Sequence, residues 1–74
     1  MKNNIYRSTT TAIAEDYQGN VFGVSGKTIA QTVFRVKAAI LNKNIKVATI
    51  YCADGTVDFF LKDGKVIQHK ALDL

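Results

Sequence analysis

The stretch that decides the fold is residues 45–72, IKVATIYCADGTVDFFLKDGKVIQHKAL. It holds two Asp-Gly pairs, Asp54-Gly55 and Asp63-Gly64, inside alternating apolar and polar residues. Asp-Gly between such runs is a strong hairpin signal, because a two-residue type I′ turn needs positive φ at both central positions. The stretch therefore predicts a three-stranded meander over about 45–52, 56–62 and 65–71. With both pairs as two-residue loops, Cys52 opposes Val57, Ile50 opposes Phe59, Ala48 opposes Leu61, and Leu61 opposes Val66. Directly opposed side chains share a face. Ala48, Ile50, Cys52, Val57, Phe59, Leu61 and Val66 then form one wholly apolar face, which we expect to be the core face. Cys52 reads there as a small hydrophobe.

The other face follows by alternation. Its expected rows are Val47 with Lys62 and Lys65, Thr49 with Phe60 and Ile67, and Tyr51 with Asp58 and His69. Phe60 and Ile67, with Tyr51 alongside, form an apolar spot rimmed by Lys62, Lys65 and His69. A small apolar patch with a polar rim suits a binding surface. Three occupants fit it: a dimer mate's sheet, a different protein, or single-stranded bases stacked on Tyr51 and Phe60 with lysines on the backbone. His69 opposite Asp58 predicts a cross-strand ion pair.

Upstream, residues 4–15 carry β-branched strand chemistry, with Thr9, Thr10 and Thr11 in a row. Tyr17-Gln18-Gly19-Asn20 supplies a turn, and Val21-Phe22-Gly23-Val24 a second strand. A two- or four-residue loop sets Ile13 opposite Val24 and Glu15 opposite Phe22. Ser25 to Asn42 reads as the one helix. Thr28 and Gln31 have capping-box spacing, with Ser25 as an alternative N-cap. Ile29, Val33, Val36 and Ile40 make one stripe at 100° per residue, and Ala30, Phe34 and Leu41 a second. Together they span roughly 160° and suit a helix lying on a sheet. Thr28, Gln31, Thr32, Arg35 and Asn42 take the opposite side, and Lys37 snorkels between the stripes. Asn42-Lys43-Asn44 ends the helix, asparagine tolerating a left-handed cap.

The element order is β-β-α-β-β-β, an α+β fold with an antiparallel sheet of order 2-1-3-4-5 and the helix over one face. The crossover passes strand one and should be right-handed. An alternative places the N-terminal hairpin on a dimer partner. With 74 residues the chain has room for one domain, 1–74. It is small enough that a homodimer sharing core is an option. A lone cysteine and a lone histidine exclude an internal disulfide and a structural zinc site, and no cofactor is expected. Met1-Lys2-Asn3-Asn4-Ile5 opens no apolar leader, and no run is long enough for a membrane helix. With free thiol usage, this predicts a cytoplasmic protein. Ten basic against six acidic residues give +4, which favours encounter with polyanions and weakens with salt.

Gly26-Lys27-Thr28 at a strand-to-helix junction brings a phosphate-binding loop to mind. The full pattern needs a glycine where Val21 stands, and it leaves too little loop to wrap a phosphate. A weak anion site at the helix N-terminus, helped by Lys27, is the remnant of that reading. No nucleophile sits at a predictable place beside His69, and Asp54 and Asp63 are explained by turns, so no enzyme is expected.

In size, and in the run Gly19-Asn20-Val21-Phe22-Gly23-Val24 followed by helix and meander, the chain resembles some anti-CRISPR proteins, small inhibitors encoded by phages and mobile elements. The resemblance covers the element order and carries over no site residue. It implies a protein that docks on a host nucleic-acid-processing complex. The basic charge departs from acidic, DNA-mimicking members. The expected function is a non-enzymatic binding protein acting through Tyr51, Phe60, Ile67, Lys62, Lys65 and His69, with Arg35 on the helix as a secondary candidate. The alternatives are a basic nucleic-acid-binding module on the same face and a structural homodimer.

Overall fold

The computed structural model describes residues 10–52 and 54–72. Strands β1 (Thr11–Glu15) and β2 (Val21–Ser25) precede helix α1 (Ile29–Leu41), and β3 (Val47–Cys52), β4 (Gly55–Lys62) and β5 (Lys65–Leu72) follow it. The strands form one sheet of order β2-β1-β3-β4-β5, antiparallel at every contact. This is the expected β-β-α-β-β-β architecture. The part of the first strand predicted over residues 4–9 lies outside the described residues.

The second reversal follows the expected turn chemistry. Asp63 and Gly64 both take positive φ, 54° and 77°, and Leu61 opposes Val66. The first reversal does not. Gly55 is already in β4, opposite Cys52. Gly55 has φ 148°, a value that side-chain-bearing residues avoid, and it enters the ladder instead of the turn. The β3–β4 pairing is therefore offset by two residues from expectation: Ile50 opposes Val57 and Ala48 opposes Phe59. Two is the side-chain period of a strand, so no residue changes face. Phe59 is fully buried, as expected of the core face.

The N-terminal hairpin differs by one residue. Ile13 opposes Gly23 and Ala12 opposes Val24, which turns Ala12 and Ala14 inward and Ile13 outward. The loop has five residues, 16–20, organised by one carboxylate. Asp16 Oδ1 accepts the backbone N–H groups of Gln18 and Asn20, each at 2.9 Å, and Oδ2 accepts Asn20 Nδ2 at 3.0 Å. The Asn20 side chain, then backbone donors, hold the Asp16 carboxyl below the usual carboxylate range. Its folded value is depressed, so the loop's contribution is present at neutral pH and lost as pH falls through that value.

Alanines face the helix for a geometric reason. Ala12, Ala14 and Ala48 are at most 1% exposed. Their short side chains let α1 lie close over the middle of the sheet, where Val36, Ile40, Ile45, Ile50 and Phe59 complete the core.

The helix is rotated relative to its apolar pattern. Its buried line is Thr32, Val36 and Ile40. Thr32, expected on the outer side, is fully buried, and its Oγ1 donates to the Thr10 carbonyl at 2.5 Å. That bond satisfies the hydroxyl and ties the helix to the start of β1. The second stripe is turned out: Phe34 is 72% and Leu41 55% exposed. Ile29 of the first stripe is also exposed. The helix begins as expected, with Thr28 Oγ1 accepting Gln31 N–H at 3.1 Å. Its end differs. Lys43, not an asparagine, takes the left-handed conformation, at φ 65°. Lys43 N–H then bonds the Ile40 carbonyl and Asn44 N–H the Ala39 carbonyl, the pairing of a Schellman cap.

The burial difference between neighbouring rings is measurable. Phe59→Ala should cost about 3–5 kcal/mol, a large part of the stability of so short a chain. Phe60→Ala should cost about 1 kcal/mol. Urea midpoints check the order, and equal losses would contradict this core.

Candidate functional site

The helix covers one face of the sheet, and among the described residues the other face is open. Along that open face the register builds a row of partners from edge to edge: Val21 on β2, Glu15 on β1, Val47 on β3, Phe60 on β4 and Ile67 on β5. Four of the five are apolar. Val21 is 66% exposed, and Val47, Phe60 and Ile67 are half-buried. The next row on one side is Lys62 opposite Lys65, both exposed. The row on the other side runs Gly23, Ile13, Thr49, Asp58, His69.

The predicted site residues are brought together only in part. Phe60 opposes Ile67 as expected, beside the Lys62–Lys65 pair. Their β3 neighbour is Val47 and not Thr49, because of the two-residue offset. Tyr51, 40% exposed, opposes Thr56. It therefore stands four residues along β3 from the Phe60 row, roughly 13 Å away at 3.3 Å per residue. The expected neighbouring pair of aromatic rings does not form. Arg35 is not on this face at all. Its Nη1 donates to the Ser25 carbonyl at 2.8 Å, fastening the helix to the end of β2.

His69 does oppose Asp58, but the carboxylate has another partner. The offset brings Thr49 opposite Asp58 on β3, and Thr49 Oγ1 donates to Asp58 Oδ1 at 2.6 Å. The cross-strand contact of Asp58 is thus a hydroxyl bond in place of the expected ion pair with His69. Among the described residues, an ion pair joins Lys70 Nζ to Asp54 Oδ1 at 3.0 Å. Lys70 keeps the Asp54 carboxyl below its usual range, through the hydrogen bond first and its charge second. Both side chains are well exposed, so the pair adds little stability.

Several residues of this face were not legible as site residues. Ile13, Val21 and Val47 line a shallow depression with Glu15, Thr49 and Tyr51, enclosing about 160 Å³. Ile13 reaches it because the alanines on either side turn inward. The size contrast between Ile13 and its neighbours Ala12 and Ala14 was the available signal. It misleads when the larger side chain is taken as the buried one. Charge on the face is uneven, with Glu15 on β1, the Lys62–Lys65 pair at one end of the β4–β5 half, and Asp58 opposite His69 two rows further along.

The helix N-terminus is already occupied by the protein's own groups. Gln31 Oε1 accepts Lys27 N–H at 2.6 Å, and Thr28 accepts Gln31 N–H. Those donors are not held open for an anion. Among the described residues, no three His, Cys, Asp or Glu side chains come together as a metal site. Among them also, no helix is long and apolar enough to cross a membrane.

No protein-family model, no curated protein and no solved structure matches this chain.

The Thr49–Asp58 contact has a direct test. A double-mutant cycle of Thr49→Val with Asp58→Ala should give a coupling of about 0.5–1.5 kcal/mol. A cycle of Asp58→Ala with His69→Ala should give a coupling near zero. The reverse order would restore the ion pair and contradict this arrangement.

Proposed function

We infer that this chain is a non-enzymatic binding protein that docks through its open sheet face onto a protein partner. The observation that carries this reading is the apolar strip Val47–Phe60–Ile67, which runs across β3, β4 and β5 on the face the helix leaves uncovered and is separated from Val21 by Glu15. Phe60 and Ile67 are its anchors, where buried aromatic and aliphatic side chains concentrate binding energy. Lys62, Lys65 and His69 edge the β4–β5 half, so the fitting partner presents an apolar strip with acidic groups beside it. Such charges raise the encounter rate and set orientation more than they add affinity. The resemblance to small phage-encoded inhibitors suggests a nucleic-acid-processing complex as the partner, blocked by occupation of one of its surfaces.

The separation of Tyr51 from Phe60 favours a protein over a single nucleic-acid strand. Successive bases need neighbouring stacking platforms, and these two rings stand several residues apart. The basic excess alone supports only loose, salt-sensitive attraction to polyanions.

Quantitative affinity capture from cells containing such a complex tests the reading, alongside titration of fluorescent single-stranded DNA and RNA at low salt. The wild-type chain should retain the complex. Phe60→Glu with Lys62→Glu should lower the yield at least tenfold, while Gln18→Glu in the exposed loop between β1 and β2 leaves it unchanged. A captured set indifferent to the outer-face substitutions would overturn the proposal. Tight oligonucleotide binding lost with Phe60→Glu would assign the face to nucleic acid instead.

A further inference from the structure

Helix α1 carries a second apolar surface that the sheet does not use. Ala30, Phe34, Lys37 and Leu41 fall within about 60° of one another at 100° per residue. Phe34 is 72% and Leu41 55% exposed, Ala30 is exposed and Lys37 half-buried. Arg35, which reaches Ser25 at the end of β2, lies on the opposite flank. The spacing of the four residues is four, three, four, the repeat of a coiled-coil seam.

We propose that this flank is a self-association surface, on which a second copy of the chain packs its own α1 antiparallel. The stripe is self-complementary. A two-fold interface must match each residue with a different one, reciprocally, or with itself. The seam's midpoint falls between Arg35 and Val36. With the axis there, Leu41 of each copy meets Ala30 of the other, a large side chain over a small one. Phe34 of each copy meets Lys37 of the other, an ammonium placed toward an aromatic face. Both matches occur twice. A parallel pairing would set Lys37 against Lys37 and Ala30 against Ala30, with like charges facing and a gap at one end. The residue types on the stripe thus select the antiparallel arrangement.

The contact is small. The helix has 13 residues, about 20 Å of length at 1.5 Å per residue. It offers less than the roughly 800 Å² per partner of a standard stable interface. The dimer is accordingly weak, with half-association at about 10 µM to 1 mM. Because the helix and the open sheet face lie on opposite sides of the sheet, pairing leaves both open faces available. Association then presents two docking faces at once, and a repeated partner surface would be held by avidity. The proposal does not depend on the function inferred for the open face, since it uses none of the same residues.

Sedimentation velocity from about 10 µM to 1 mM reads the outcome. The wild-type mean mass should rise toward twice the monomer mass across that range. Phe34→Glu should remain monomeric throughout, and Lys37→Glu, which sets a carboxylate against the ring face, should need at least about fivefold more protein for the same mass. Phe60→Glu on the sheet should follow the wild-type curve. Far-UV circular dichroism checks that folding is retained. If Phe34→Glu alters it, Leu41→Gln carries the same monomeric expectation. A wild-type chain that stays monomeric at 1 mM would overturn the proposal, as would association indifferent to Phe34→Glu. Dissociation by Phe60→Glu alone would move self-association to the open face, and would count against the docking function as well.

Discussion

The left-handed pair Asp63-Gly64 aligns β4 with β5 in one register, and the placement of side chains across the C-terminal half follows from it. Positive φ at both positions gives the turn the twist of the strands it joins. Leu61 then faces Val66, Phe60 faces Ile67 and Phe59 faces Gln68. Strict alternation does the rest. Phe59 goes under the helix, and Phe60, one residue on, goes to the open face. Neighbouring phenylalanines in one strand thus acquire opposite roles from a turn three residues away.

How much of this was legible in the sequence depends on the size of each offset compared with the strand period. At the β3–β4 reversal, Gly55 joins the ladder and the pairing moves by two residues. The core face survives intact, while cross-strand neighbours change: Thr49, not Tyr51, meets Asp58. At the N-terminal hairpin the pairing moves by one, and that exchanges faces. The expectation there failed because the loop has five residues, 16–20, held by the Asp16 carboxylate, in place of a two- or four-residue reversal. Beneath a closely packed helix the requirement is for small side chains, which Ala12, Ala14 and Ala48 meet.

The helix shows the same competition. Its apolar arc is broader than the sheet can cover, so packing selects part of it. Selection runs through Thr32, which is fully buried and whose hydroxyl donates to the Thr10 carbonyl. A threonine counted as polar in a periodicity argument is buried once its one donor is satisfied. Turning Thr32 inward turns Phe34 and Leu41 out. The exposed flank is therefore a consequence of how the core closes, and the stripe's own composition gives it a fitting use.

The open face rests on the ladder of the meander, and nuclear Overhauser contacts across β3, β4 and β5 report that ladder. Backbone contacts should link Ala48 with Phe59 and Val47 with Phe60. Ring contacts should run from Phe59, and not Phe60, to the methyl groups of Val36 and Ile40. A ladder slipped by one residue, with the Phe60 ring against the helix and Phe59 in water, would contradict this register.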